Sequence, residues 1–424
     1  MKFTILLVSG ALCFAPGIHA ARAQSGSAAP DSVSTTNIAS SDSAASADSI
    51  AAGIPQRDVF DVLKNDILRR PEKPPGTAKP RTGLRWSILP TLSYNPVYGV
   101  AVGAMLSGTG QRGGPAGRYS ALAISGNYSS TGQIQAQVRG DMFSSGGNYL
   151  LKADFRYLDT DRKTWGLGPF STNQEKYPMS FRLSRLYATV YRRAMGPVFF
   201  GLGFHYDEFN QIVDERAAKG EETPFTTYSG GALSRTVASG VSLNLLGDTR
   251  NNVVNPSSGY YVSTSYRDYL TAAGSNATWK ELWLELRLYT KLPHTARNVL
   301  GFWLYAWNTS GKAPYLNLPS TGWDTNGRGA RGYLHGRIRG EDQLYAETEY
   351  RRVLTANGLL GAVAFANMIS TKEPATGAFG NPDVAGGIGL RFKLNKHSNA
   401  NLCIDHGWGF NGSQTWILAM NEAF

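Results

Sequence analysis

The chain has 424 residues, 42% of them apolar, with a mean hydropathy of −0.26 and a net charge of +11. Beyond its first residues no stretch approaches about eighteen consecutive apolar positions, which excludes membrane-spanning helices. Of its 2 cysteines, Cys13 falls in the N-terminal apolar run, so Cys403 stands alone and an intrachain disulfide is excluded.

Residues 1–23 read as a secretory signal peptide. Lys2 supplies a charge, Phe3 to Phe14 a short apolar run, and Ala21-Arg22-Ala23 the preferred cleavage site, with Ala20 the second choice. Residues 24–56 are mostly Ser, Ala, Asp and Thr, too polar to bury a core, and read as a disordered linker. Residues 57–82 read as a short amphipathic helix and a Pro-rich tether. Val59, Phe60, Leu63 and Ile67 recur there at helical spacing, and Pro71, Pro74, Pro75 and Pro80 end the helix. This segment packs on the periplasmic rim of the next domain, partly plugs it, or stays an unfolded tether.

Residues 83–424 change to a period of two. Leu282, Leu284, Leu286 and Leu288 share one parity, while Glu281, Trp283, Glu285, Arg287 and Tyr289 share the other. A strand turns successive side chains to opposite faces, so one face is apolar and the other charged. Leu151, Ala153 and Phe155 likewise oppose Lys152, Asp154 and Arg156, and Leu344 and Ala346 oppose Tyr345, Glu347 and Glu349. The pattern predicts an all-β fold: a transmembrane antiparallel β-barrel of about 16 strands with a wet lumen. Low mean hydropathy fits, because a barrel shows only alternate residues to lipid.

Alternation and turn signals place strands at about 84–94, 98–108, 117–129, 131–143, 147–157, 180–193, 197–210, 234–247, 259–270, 277–291, 297–309, 340–353, 358–368, 383–394, 399–410 and 414–424. Links after even-numbered strands 4, 6, 10, 12 and 14 are tight, whereas the long links follow strands 5, 7, 11 and 13. Short turns belong to the periplasmic side and long loops to the outside, which puts both barrel ends in the periplasm.

The turn after strand 8 runs from Gly247 through Asp248, Thr249 and Arg250 to Pro256, Gly259 and Tyr260. It resembles the DTR-x-N…P-x-x-G-Y segment of the Omp85 superfamily, the BamA/TamA or bacterial surface antigen family of outer-membrane barrels. The loop between strands 11 and 12 holds Arg331-Gly332-Tyr333, similar to the family's R-G-[FY] loop tip. Glu349-Tyr350-Arg351, then Gly361-x-x-x-Phe365-x-Asn367, then Gly387-Ile388-Gly389-Leu390-Arg391 follow in the family's order. Asn367 stands where the family usually has Asp, and Ile369 where it has Gly. Phe424 matches the aromatic C-terminal signal, with Glu422 interrupting the apolar run before it.

The resemblance implies that Arg331 folds back into the lumen and pairs with Glu347, Glu349 or Asn367. It also implies a role in outer-membrane protein assembly or translocation, with outer-membrane lipid, unfolded barrel clients or a separate periplasmic protein as partners. Residues 24–82 show no recognisable POTRA module, so a passive channel or structural barrel is the competing expectation. A hydrolase is a third: His205, His294, His335, His397 and His406 are scattered, and no G-x-S-x-G motif or Ser/His strand pair stands out. We expect no enzyme activity, cofactor, metal or nucleic-acid partner. Localisation in the bacterial outer membrane is expected.

Overall fold

A computed structural model describes residues 54–69, 83–95, 99–111, 118–168, 176–292, 297–325, 327–372, 376–396 and 399–424. The expected signal peptide, most of the linker and the Pro-rich tether lie outside these residues. The strands are β1 (Arg85–Asn95), β2 (Gly99–Gln111), β3 (Tyr119–Ser129), β4 (Ile134–Phe143), β5 (Tyr149–Thr164), β6 (Tyr177–Met195), β7 (Val198–Asp214) and β8 (Arg235–Asp248). They continue as β9 (Gly259–Tyr269), β10 (Trp279–Lys291), β11 (Asn298–Gly311), β12 (Asp342–Val353), β13 (Leu360–Thr371), β14 (Asp383–Asn395), β15 (Ala400–Gly409) and β16 (Gln414–Met420). All join in one 16-stranded sheet in sequence order, each antiparallel to the next, and β16 comes back against β1.

The period of two decides which way each face points. On β10, Leu284 and Leu288 are 39% and 41% exposed on the outside, whereas Glu281, Glu285 and Arg287 are buried. The outer band of exposed Val, Leu, Ile, Phe and Trp is a surface for lipid; the ion pairs of β10, Arg267–Glu281 and Arg287–Glu285, are interior. The expectation of a wet lumen holds only in part. Along β10–β14 the interior is filled by Trp283, Trp303, Tyr305, Trp307 and Tyr345 with the long loop between β11 and β12. A cavity of 1790 Å³ remains, lined by residues from β1 to β10, the loop tip, β16 and the segment after it.

Three elements differ from the sequence reading. β5, β6 and β7 run several residues further on the long-loop side. There Leu158, Met179, Phe181, Leu183, Phe209 and Ile212 turn inward and pack under Phe225, Tyr315 and Leu318. At that end the outer residues face water rather than lipid, so Asp161 and Lys163 stand outside and the apolar-out alternation is lost. β16 is shorter than expected: it stops at Met420, and Asn421 takes a positive φ of 66°. This turns Glu422, Ala423 and Phe424 inward, where all three are buried.

The third is the helix. Val59–Asp61 is a single α-helical turn (α1) continued by a π-helical stretch, Val62–Ile67. Phe60, Leu63 and Ile67 are exposed, so the apolar face is not what docks it. Polar contacts do. The Arg57 amide donates to the Asn357 carbonyl at 3.0 Å. The Asp58 carboxylate accepts the Lys396 amide at 3.1 Å, and Lys396 Nζ donates to Asp61 at 2.8 Å. The segment therefore sits on the short-turn rim, across the β12–β13 and β14–β15 turns.

Candidate functional site

The loop after β11 turns back into the barrel. Ser320 bridges Arg339 to close it into a narrow excursion, and Thr321 is fully buried. At its tip Ala330 holds a left-handed φ of 62° and donates its amide to Tyr345 Oη at 3.0 Å. Gly332 follows with φ 106°; a Cβ there would meet Ala385 Cβ at 2.7 Å, so the backbone lies flat on the wall. Its amide donates to Thr415 Oγ1 at 3.0 Å, and Ser413 Oγ donates to its carbonyl at 2.8 Å. Tyr333 Oη donates to the Val384 carbonyl at 2.7 Å and accepts the Phe410 amide at 3.0 Å.

This clamped tip aims Arg331 into the packed interior, where it is 2% exposed. Its guanidinium donates to Glu347, to Glu349 and, at 2.8 Å, to Asp405. It lies over the Phe365 ring, 3.7 Å from the centroid. Glu347 and Glu349 share the inward parity of β12, and Asp405 faces them from β15. Asn367 does not touch the guanidinium. Its amide Nδ2 donates to the Arg331 carbonyl at 2.9 Å, fixing the loop backbone instead.

The network extends beyond the expected partners. Arg351 donates to Glu349 at 2.5 Å, to the Pro256 carbonyl at 3.1 Å and to the Phe424 carbonyl at 2.9 Å. Arg391 donates to Asp405 at 2.5 Å and to Glu422 at 2.7 Å, and Asn401 also donates to Glu422 at 2.7 Å. Phe424 packs on Trp303 and Tyr289 inside the barrel. The two bare glycines of the β14 segment make room for this: a Cβ on Gly387 would strike the Phe365 ring, and one on Gly389 the Asp405 carboxylate. The turn residues form a separate unit. Arg250 donates to Asp248 at 2.7 and 3.0 Å, and Gly259, at φ 97°, lets the chain pass the Thr249 carbonyl. The Pro256 carbonyl links this turn to the Arg331 network through Arg351.

Asp405, Arg391 and Glu422 were not among the residues picked out as lumenal partners. Asp405 was legible as a charge at an inward position between Leu402 and Trp408. Glu422 carried no such signal, because its contact depends on the inward turn at Asn421. The structure also pairs a serine with a histidine on neighbouring strands, which spacing hid: His205 Nε2 and Ser242 Oγ are 2.8 Å apart. Both are buried, and His205 Nδ1 has no hydrogen-bond partner among the described residues. A base held by a third group, as nucleophilic triads require, is therefore not assembled there. Burial, with Arg162 and Arg156 nearby, pushes the loop residue His335 down to about 3, so it stays neutral. Among the described residues no cluster of three or more His, Cys, Asp or Glu forms a metal-binding group. His294 and His397 lie outside the described residues.

No protein-family model matches the chain, and no curated protein matches it. Solved structures do. BamA from Haemophilus ducreyi lacking POTRA domains 1–3 superposes with a TM-score of 0.51 at 13% identity, covering 85% of this chain and 78% of that one. CdiB from Escherichia coli gives 0.50 at 10% identity, covering 84% and 69%. At such identities the likeness speaks for the fold alone, a 16-stranded antiparallel barrel like those of BamA and CdiB.

Proposed function

We propose that this chain is an outer-membrane barrel of the Omp85 superfamily that acts in protein assembly or translocation. The observation that carries the reading is the buried Arg331 network. It joins the loop tip to β12, β13 and β14 at segments whose sequence resembles the family, with Asp405 of β15 completing it, and spacing alone did not require those segments to meet. The lumenal cavity supports it. Its lining passes from inward residues such as Ser125 and Asn127 to the outward Trp86 of β1 and Trp416 of β16, so the interior reaches the outer face where the first and last strands meet. A barrel that handles chains at its seam needs such a passage.

A passive channel is the second reading, favoured by a 1790 Å³ cavity that reaches from α1 at the short-turn rim to the loop tip. Depletion in the native host followed by an outer-membrane proteome separates the two. Loss of several other barrels supports assembly. An unchanged proteome, with conductance through the purified protein, replaces it with the channel.

A further inference from the structure

The lumenal cavity is lined by eight Lys and Arg side chains but only four Asp and Glu. Much of that charge is neutralised pairwise on the wall, as in Arg267–Glu281 and Arg287–Glu285. The surplus collects at the loop tip. Arg139 of β4 and Arg156 of β5 share one carboxylate, Asp154, which Arg156 holds at 2.5 Å and Arg139 reaches only at 3.4 Å. Both arginines also donate to the Thr325 carbonyl, and the Arg139 side chain keeps 30% of its surface open.

Across the cavity stands Arg328. Its guanidinium donates from Nη1 and Nη2 to backbone carbonyls: Asn421 at 2.6 Å, Glu422 at 2.8 Å and Met420. The nearby Asp324 carboxylate accepts the amides of Gly327, Arg328 and Gly329 at 3.0, 3.1 and 2.7 Å. Arg139 and Arg328 line the same cavity, and Arg139 donates to the carbonyl of Thr325 in the segment that carries Arg328. Two guanidiniums line one open space: beside Arg139 stand Asp154, which Arg156 holds more closely, and Asp324, while Arg328 donates to carbonyls rather than to a carboxylate. Guanidinium forks favour oxyanions that accept two parallel hydrogen bonds.

We propose that Arg139 and Arg328 form an anion-binding site in the lumen, for a phosphate-bearing ligand. The phosphate belongs either to a free anion or to the headgroup of an anionic lipid reaching the lumen past β1 and β16. The site does not depend on whether the barrel handles clients or passes solutes.

The test uses the full-length protein in phosphatidylcholine nanodiscs, titrated calorimetrically with pyrophosphate and, separately, with monomeric dihexanoyl phosphatidylglycerol. Saturable binding that weakens with added KCl is expected, because salt screens charge over about 10 Å at 0.1 M. The double variant Arg139→Gln, Arg328→Gln should weaken it by about tenfold or more, the loss of charge-assisted hydrogen bonds. Arg139→Lys should retain only part of it, because an ammonium keeps the charge but not the planar fork. Arg139→Gln alone, which leaves the Arg156–Asp154 pair in place, serves if the double variant does not fold by heat-modifiable gel shift. Tighter binding of pyrophosphate identifies a free anion, and tighter binding of the lipid identifies a headgroup. No saturable binding of either, or binding unchanged by the glutamine variants, overturns the site.

Discussion

Arg331 sits among three carboxylates from two strands, and none of the three has water to fall back on. Replacing it with Ala leaves Glu347, Glu349 and Asp405 facing one another, and breaking a buried pair typically costs about 3–5 kcal/mol. Arg331→Ala should lower the melting temperature and make the loop protease-sensitive. Arg331→Lys should recover only part, because an ammonium cannot serve several carboxylates with a planar fork. Unchanged melting and proteolysis in Arg331→Ala would mean that the loop is held by its glycine and tyrosine contacts alone. Asn367 gives a sharper test. Its Nδ2 donates to the Arg331 carbonyl, and an aspartate carboxylate has nothing to donate. Asn367→Asp, although it restores the residue usual in the resembling family, should destabilise this chain by about 1–3 kcal/mol. Equal or higher stability by thermal melting would show that the neighbouring network re-forms around a carboxylate.

Among the elements, β10 shows the two faces most plainly. Leu284→Arg puts a charge on the lipid face at a cost of about 2–4 kcal/mol near the midplane. Glu285→Leu, which alternation alone makes the milder change, also removes the acceptor for Arg287 at 2.7 Å and Trp303 Nε1 at 2.9 Å. Both variants should therefore lower the yield of folded barrel on heat-modifiable gels, and a normal yield for Glu285→Leu would argue against a packed lumen at β10. The segment carrying α1 responds to pH instead. Burial tends to raise the Asp61 carboxyl, but the hydrogen bond from Lys396, the backbone amide hydrogen bond in the Asp58 cap and the nearby Arg57 outweigh it. The net value falls below the usual 3.8. A depressed carboxyl contributes docking that is fully present above 3.8 and lost as pH falls through the lower, docked value. Protection from hydrogen exchange over residues 54–69, taken relative to the intrinsic rate at each pH, should be high at pH 7 and fall well below pH 3.8. Lys396→Gln should give fast exchange already at neutral pH; slow exchange in that variant would assign the docking to Arg57 and Asp58.

For the whole molecule, strand order and link length give a topology that labelling can read. A cysteine at Glu221, exposed on a long link, should react in intact cells, and one at Ser145, exposed on a short turn, only after permeabilisation. The reverse result would invert the barrel. Thr321 lies on a long link by sequence and is an external site on that ground. The loop folds into the lumen, however, and Thr321 is 0% exposed. A cysteine there should stay unlabelled in folded protein on either side of the membrane.

The sequence by itself determined the strands, their order and the direction of each face. A period of two cannot be slipped by one residue without turning Leu284 inward and Glu285 out to lipid. Alternation also put Glu347 and Glu349 on the inward face of β12, and the resemblance of the loop tip to a known family marked Arg331 as their partner. Tertiary structure decided what local pattern does not encode. Asp405 and Arg391 became partners only when β14 and β15 curved round to face β12. Glu422 and Phe424 entered the interior through one left-handed residue, Asn421, that no alternation rule anticipates. The docking of α1 was decided by single polar contacts with turns more than 290 residues away (Arg57 to Asn357, Asp58 to Lys396). The surplus charge at Arg139 and Arg328 exists only because the long loop carries one to the other.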